Sequence, residues 1–202
     1  MVGAIKAAIG DAVLTFMWVF CSSVLGIASG FNPTGTASFY AVGLGSDTLF
    51  SMALRFPAQA AGAAGGAMAI MEVIPAKYRH MIGGPSLKVD LHTGAVAEGV
   101  LTFVITFAVL LIFLRGPRSD LLKTWLLATA TVVLVMVGSA YTGPAMNPAN
   151  AFGWAYLNNW HNTWDQFYVY WICPFTGAIL AAWLFRAVFP PPPPPEVKQK
   201  KA

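Results

Sequence analysis

The sequence predicts an all-α membrane protein: an inverted-repeat helical bundle with two re-entrant half-helices and five full spans where the repeat implies six. Three observations carry that expectation. The chain is too apolar for water alone, it holds five long apolar runs, and an acid-then-Asn-Pro signature occurs twice in the same order.

Of the 202 residues, 57% are hydrophobic and 10% charged, with a mean hydropathy of +0.64. A soluble domain carries about 25% charged residues. The net charge of +4 is scattered over short connectors and a C-terminal tail. No basic stripe interleaved with aromatics is present, so nucleic acid is not an expected partner. The positive charge suits loops facing the anionic lipid of a cytosolic leaflet.

A helix crosses the bilayer core with about 20 mostly apolar residues. Such runs are read at 12–28 (short), 48–74 (interrupted by Arg55), 93–114, 121–140 and 166–189. Asp11 and a single Lys6 make a weak n-region, so the first run does not read as a cleavable signal. Two spans separate the basic connector Arg115–Lys123 from the tail lysines, which allows both to face the cytosol. The Ala- and Gly-rich stretch 58–67 places Gly62 and Gly66 at the spacing that lets transmembrane helices approach backbone to backbone, so helix packing is its expected role.

The repeat is explicit. Asp11-Ala-Val-Leu-Thr15-Phe16 parallels Glu98-Gly-Val-Leu-Thr102-Phe103, and Asn32-Pro33-Thr34 parallels Asn147-Pro148-Ala149. From Glu98 to Asn147 is 49 residues, but from Asp11 to Asn32 only 21. The first half is therefore 28 residues short, about one helix and a connector. The missing element is the second helix.

Asn is a favoured N-cap and Pro suits the first helical position, so short helices are expected at 32–40 and 147–157. Non-helical backbone at membrane depth is tolerated inside protein or beside water. Two half-helices entering from opposite faces would meet near the midplane. Their N-terminal partial positive charges disfavour cations, and the Asn amides can donate to a passing water. Asp11 and Glu98 are costly in hydrocarbon unless they accept hydrogen bonds inside the bundle. Their expected role is to hold the loop that leads into each half-helix.

From Asn32 to Ala202, including Tyr141-Thr-Gly-Pro144-Ala-Met-Asn147-Pro-Ala149, the chain resembles the aquaporin superfamily. The Asn-Pro-Thr form of the first motif, the basic balance and the Lys-rich end are similar to the small basic intrinsic proteins of plants. The resemblance implies a channel for water or another small neutral solute, no enzyme activity, no cofactor, and homo- or hetero-tetramers with aquaporins. It places the selectivity constriction at Val135, Pro144 and Asn150, its fourth position falling on the missing helix. Water-selective members carry Arg where Asn150 stands; the small basic subfamily also lacks it. With the tail cytosolic, counting back four spans puts the first Asn-Pro motif on the cytosolic side, and the 12–28 run must cross with its N-terminus lumenal or not cross. Reduced or absent conduction is the expected consequence, and a non-conducting structural or regulatory subunit of aquaporin assemblies is the competing function.

Residues 1–189 read as one transmembrane domain and 190–202 as a cytosolic tail. Pro190–Pro195 form a polyproline spacer of roughly 19 Å. Beyond it, Lys198 and Lys200 fit the Lys-x-Lys-x-x retrieval pattern of endoplasmic reticulum membrane proteins. His80, His92 and His161 have no partners at metal-ligand spacing. Cys21 and Cys173 read as small buried hydrophobes. Ser22 and Ser23 lie in an apolar run with no base nearby, so no nucleophilic site is expected.

Overall fold

The computed structural model describes residues 31–190, all of whose regular structure is helical. The 12–28 run, Asp11, Lys198 and Lys200 lie outside the described residues. Each of two short helices, α1 (Pro33–Ala41) and α5 (Pro148–Leu157), is followed by long ones: α2 (Leu49–Val73), α3 (Leu91–Leu114) and α4 (Asp120–Gly138) after the first, and α6 (Trp164–Val188) after the second. A 3₁₀ turn, Ala76–Met81, follows α2. Helices α3, α4 and α6 are long and apolar enough to cross a membrane. Helix α2 is also long enough, about 37 Å at 1.5 Å per residue, but its Ala/Gly middle with Arg55 and Glu72 is less apolar.

Helix starts follow their caps. Asp90 accepts from the Thr93 N–H (3.0 Å) and Thr163 from the Gln166 N–H (3.2 Å), so α3 and α6 begin two residues earlier than the apolar runs alone indicate. Helix α4 ends at Gly138, short of residue 140, because the chain turns there: a Cβ at Gly138 would lie 2.3 Å from Pro144 Cγ. Within α6 a π-helical stretch, Tyr168–Ile172, precedes Pro174. Proline has no N–H for the carbonyl four residues back, and a π turn is one way to absorb that loss.

The core runs along α3 and α6. The buried stripe of α3, Gly94, Ala95, Glu98, Leu101, Thr102, Thr106 and Leu110, has helical spacing. Its centre is a backbone contact: a Cβ at Gly177 would lie 2.1 Å from the Gly99 carbonyl oxygen. Helix α2 packs on α5 by another close approach, since a Cβ at Gly153 would lie 2.6 Å from the Ala63 carbonyl. This corrects the packing role expected for Gly62 and Gly66. Buried Ala60, Ala64 and Ala67 form the packed face, while a Cβ at either glycine meets nothing within 4 Å among the described residues. The two glycines lie off the stripe that α5 covers.

Basic groups stand at both ends of the bundle: Lys77, Arg79 and Lys88 lie in the α2–α3 connector, where Lys88 donates to the Ser139 carbonyl (2.8 Å), and a second set lies at the other end. Arg186, in the last turn of α6, donates to the Ala41 carbonyl (3.1 Å) at the end of α1, and Arg115 stacks 5.1 Å from the Phe189 ring. A cation there complements the negative end of the half-helix. At the opposite end stand Tyr141, Tyr156, Trp160, Trp164 and Tyr168, aromatic types that favour a membrane interface.

Candidate functional site: two crossed half-helices

The N-termini of α1 and α5 meet head to head, and the two Asn side chains are crossed. Asn32 Nδ2 donates to the Met146 carbonyl (3.0 Å), and Asn147 Nδ2 donates to the Phe31 carbonyl (3.2 Å). Each amide thus holds the residue that precedes the other. Each also caps its own helix: Asn32 Oδ1 accepts from the Thr34 N–H (3.0 Å), and Asn147 Oδ1 accepts from the Ala149 (3.1 Å) and Asn150 (3.3 Å) N–H groups. Pro33 and Pro148 fill the first helical positions and are buried.

The repeat is not symmetric at the third motif position. The Thr34 hydroxyl donates to Asn32 Oδ1 (2.7 Å), a contact that Ala149 cannot make. It fixes the Asn32 carboxamide, so that its oxygen faces α1 and its nitrogen faces Met146. Thr34 and Ala149 are both 1% exposed, so this junction is sealed on the helix side.

Glu98 secures the second half-helix from below. Its Oε1 accepts from the Thr142 hydroxyl (2.8 Å) and the Ala145 N–H (2.9 Å), and its Oε2 from the Met146 N–H (3.1 Å). The carboxyl is completely buried, and every partner is a donor. Met146 needs this support. Its φ is 47°, left-handed for a residue with a side chain, which costs about 1–2 kcal/mol. Glu98 holds its N–H, Asn32 holds its carbonyl, and the strained residue aims one at each. Thr142 extends the network, its carbonyl accepting from the Tyr170 hydroxyl (3.1 Å) in the π-helical stretch.

An open cavity of about 520 Å³ lies beside the crossed amides, lined by Phe31, Asn147, Asn150 and a stripe of α2: Arg55, Ala58, Gln59, Gly62 and Ala63. The spacing of that stripe is one helix face. The open space over Gly62 belongs to this cavity. A second, more apolar cavity of about 530 Å³ lies between α3 and the end of α4, against Val96, Val100, Val137 and Tyr141.

The structure therefore brings together Asn32, Pro33, Thr34, Asn147, Pro148, Ala149 and Glu98, with Asn150 at the cavity edge. It does not group Val135 and Pro144 with Asn150. Val135 is exposed on α4, Pro144 packs on Gly138, and neither lines the cavity that holds Asn150. Sequence reasoning missed Thr142, Tyr170 and Met146, whose roles depend on loop geometry. It also passed over Arg55 as a mere interruption, although a cation inside a span is itself a signal.

The Major intrinsic protein family model matches residues 1–185. Aquaporin SIP1-1 of Oryza sativa subsp. japonica is 56% identical, over 100% of this chain and 99% of that protein. Aquaporin SIP1-1 of Arabidopsis thaliana is 55% identical, over 100% of both. The rice comparison extends over 245 positions against 202 residues here, so at least 43 positions of it face a gap in this chain. The X-ray structure of the aquaglyceroporin from Plasmodium falciparum superposes with a TM-score of 0.62 at 18% identity, covering 79% of this chain and 72% of that one, which shows the fold. The chain belongs to the major intrinsic protein family, the aquaporins, and within it to the small basic intrinsic proteins, membrane channels rather than enzymes.

Proposed function

We propose that this chain is a passive conduit for water or another small neutral solute, with throughput limited by the absent second helix. The observation that carries the reading is the reciprocal Asn pair. A carboxamide has two N–H donors. One from each Asn is spent on the opposing carbonyl, which leaves one from each for a solute oxygen. Crossed amides cannot swing away, so their spacing along the path is fixed. The positive ends of α1 and α5 converge on the same point and disfavour cations. The constriction is proposed at Asn150, and Asp11 is proposed to support α1 as Glu98 supports α5.

The short connector with Arg115, Arg118 and Lys123, together with Arg186 and the tail lysines, supports a cytosolic C-terminus under the positive-inside rule. Lys198 and Lys200 support residence in the endoplasmic reticulum by retrieval. A second reading, a non-conducting subunit within aquaporin tetramers, is favoured by α4. Gly138 is its one buried residue, and Val132, Val133 and Met136 are exposed along it.

The test is stopped-flow shrinkage of proteoliposomes carrying the chain, compared with a version in which a second helix is restored between Gly26 and Phe31. The restored version is expected to be several-fold more water-permeable than the chain, and the chain more permeable than empty vesicles. Equal permeability of the two proteins would remove the absent helix as the limiting feature. A chain indistinguishable from empty vesicles beside a permeable restored version would favour the subunit reading.

A further inference from the structure

The geometry points to Arg55 as a charge-selecting residue of the conduit, a fixed cation that favours anionic or neutral over cationic solutes in the cavity beside the crossed amides. The inference rests on the reading of that cavity as the solute path. Arg55 is the one charged side chain among the described residues that line it, and no carboxylate is among them. It lies on the same face of α2 as Gln59 and Gly62, which places it about 10 Å along the helix from Gly62.

Asp47 makes the position stable without cancelling it. Arg55 Nη1 contacts both carboxylate oxygens of Asp47, which also accepts from the Ser51 hydroxyl (2.9 Å). Asp47 precedes α2 and does not line the cavity. The pair is therefore an oriented dipole with its positive end inward. The hydrogen bond from Arg55 holds the Asp47 carboxyl below its usual range, so the pair stays ionised at neutral pH. The guanidinium has five N–H donors, and Asp47 engages one nitrogen of it. A cation within a span is costly unless it meets water or a partner, and Asp47 is that partner. The α5 N-terminus supplies partial positive charge from the other side of the cavity. Asn150, the residue one turn into α5, is neutral.

The test reads the local potential directly. In the full chain with Cys21→Ser and Cys173→Ser, a reporter thiol is introduced by Ala58→Cys, one turn from Arg55, and separately by Gly62→Cys. Each is reacted in liposomes with a negatively charged sulfonate and a positively charged trimethylammonium methanethiosulfonate. The sulfonate reagent is expected to react faster, by about threefold or more after correction for the rates on free thiol. Arg55→Gln should lower that ratio to one or below, and Arg55→Lys should preserve it. Asp47→Asn should raise it, which supplies a shift in the opposite direction if Arg55→Gln folds poorly. An unchanged ratio in Arg55→Gln and Asp47→Asn, or no reaction of either thiol, overturns the assignment. Because no permeability is read, the ratio stands or falls separately from whether the chain conducts.

Discussion

Replacing Glu98 by Ala is expected to cost on the order of 3–5 kcal/mol and to abolish the packed loop that leads into α5. The substitution strands the buried Met146 N–H and Thr142 hydroxyl and the half-buried Ala145 N–H. A buried donor without a partner costs about 1–3 kcal/mol. Met146 loses one of the two bonds that hold its left-handed backbone, and the strain there is released by opening the loop. Glu98→Gln is informative because it keeps the volume. Both oxygens face a backbone N–H, so whichever end carries the amide nitrogen sets donor against donor. A smaller loss, about 1–3 kcal/mol, is expected for Gln. Thermal unfolding in detergent, followed by intrinsic tryptophan fluorescence, ranks the three proteins. Wild-type-like stability of Glu98→Gln would mean that the carboxylate is not the loop's fixed acceptor.

The crossed Asn pair should behave as one unit. Asn147→Ala removes two capping bonds to α5 and the bond to Phe31. Asn32→Ala removes the cap of α1 and the bond to Met146. Each is expected to cost about 1–2 kcal/mol as a lost N-cap. Once one arm opens, the other carbonyl moves out of reach, so the double variant should cost less than the sum by about 0.5 kcal/mol or more. Denaturation of the four proteins closes the cycle. Strict additivity would mean that the two half-helices are held independently, and the junction would lose its claim to fix the amides along the path.

Much of this arrangement is legible in the sequence because it is written in residue types with narrow uses. Asn-Pro at two helix starts, and an acid at the same place before each Val-Leu-Thr-Phe run, describe caps and loop supports. Glu98 could be assigned a loop because a carboxylate in an apolar helix requires donors. The crossing itself is not legible. It depends on the left-handed Met146, a residue type that gives no sign of positive φ, and on the Thr34 hydroxyl setting the direction of Asn32. Gly62 and Gly66 illustrate the opposite error. Their spacing matches a packing motif, yet the packing falls on the neighbouring alanines, because spacing cannot tell which face of α2 meets α5. Arg55 was visible as a cation in a span, but only the fold shows it beside Asn147 and Asn150.

The central claim is that the cavity beside the crossed amides is the solute path, and Gly62 offers a direct way to close it. A Cβ there meets nothing within 4 Å among the described residues, and Leu is a better helix former than Gly, so Gly62→Leu fills the cavity without disturbing α2. The measurement is the osmotic water permeability of proteoliposomes carrying wild type or Gly62→Leu, at equal protein content, against empty vesicles. Wild type should exceed empty vesicles and Gly62→Leu should fall back to them. A folded Gly62→Leu protein as permeable as wild type would contradict the assignment of the path.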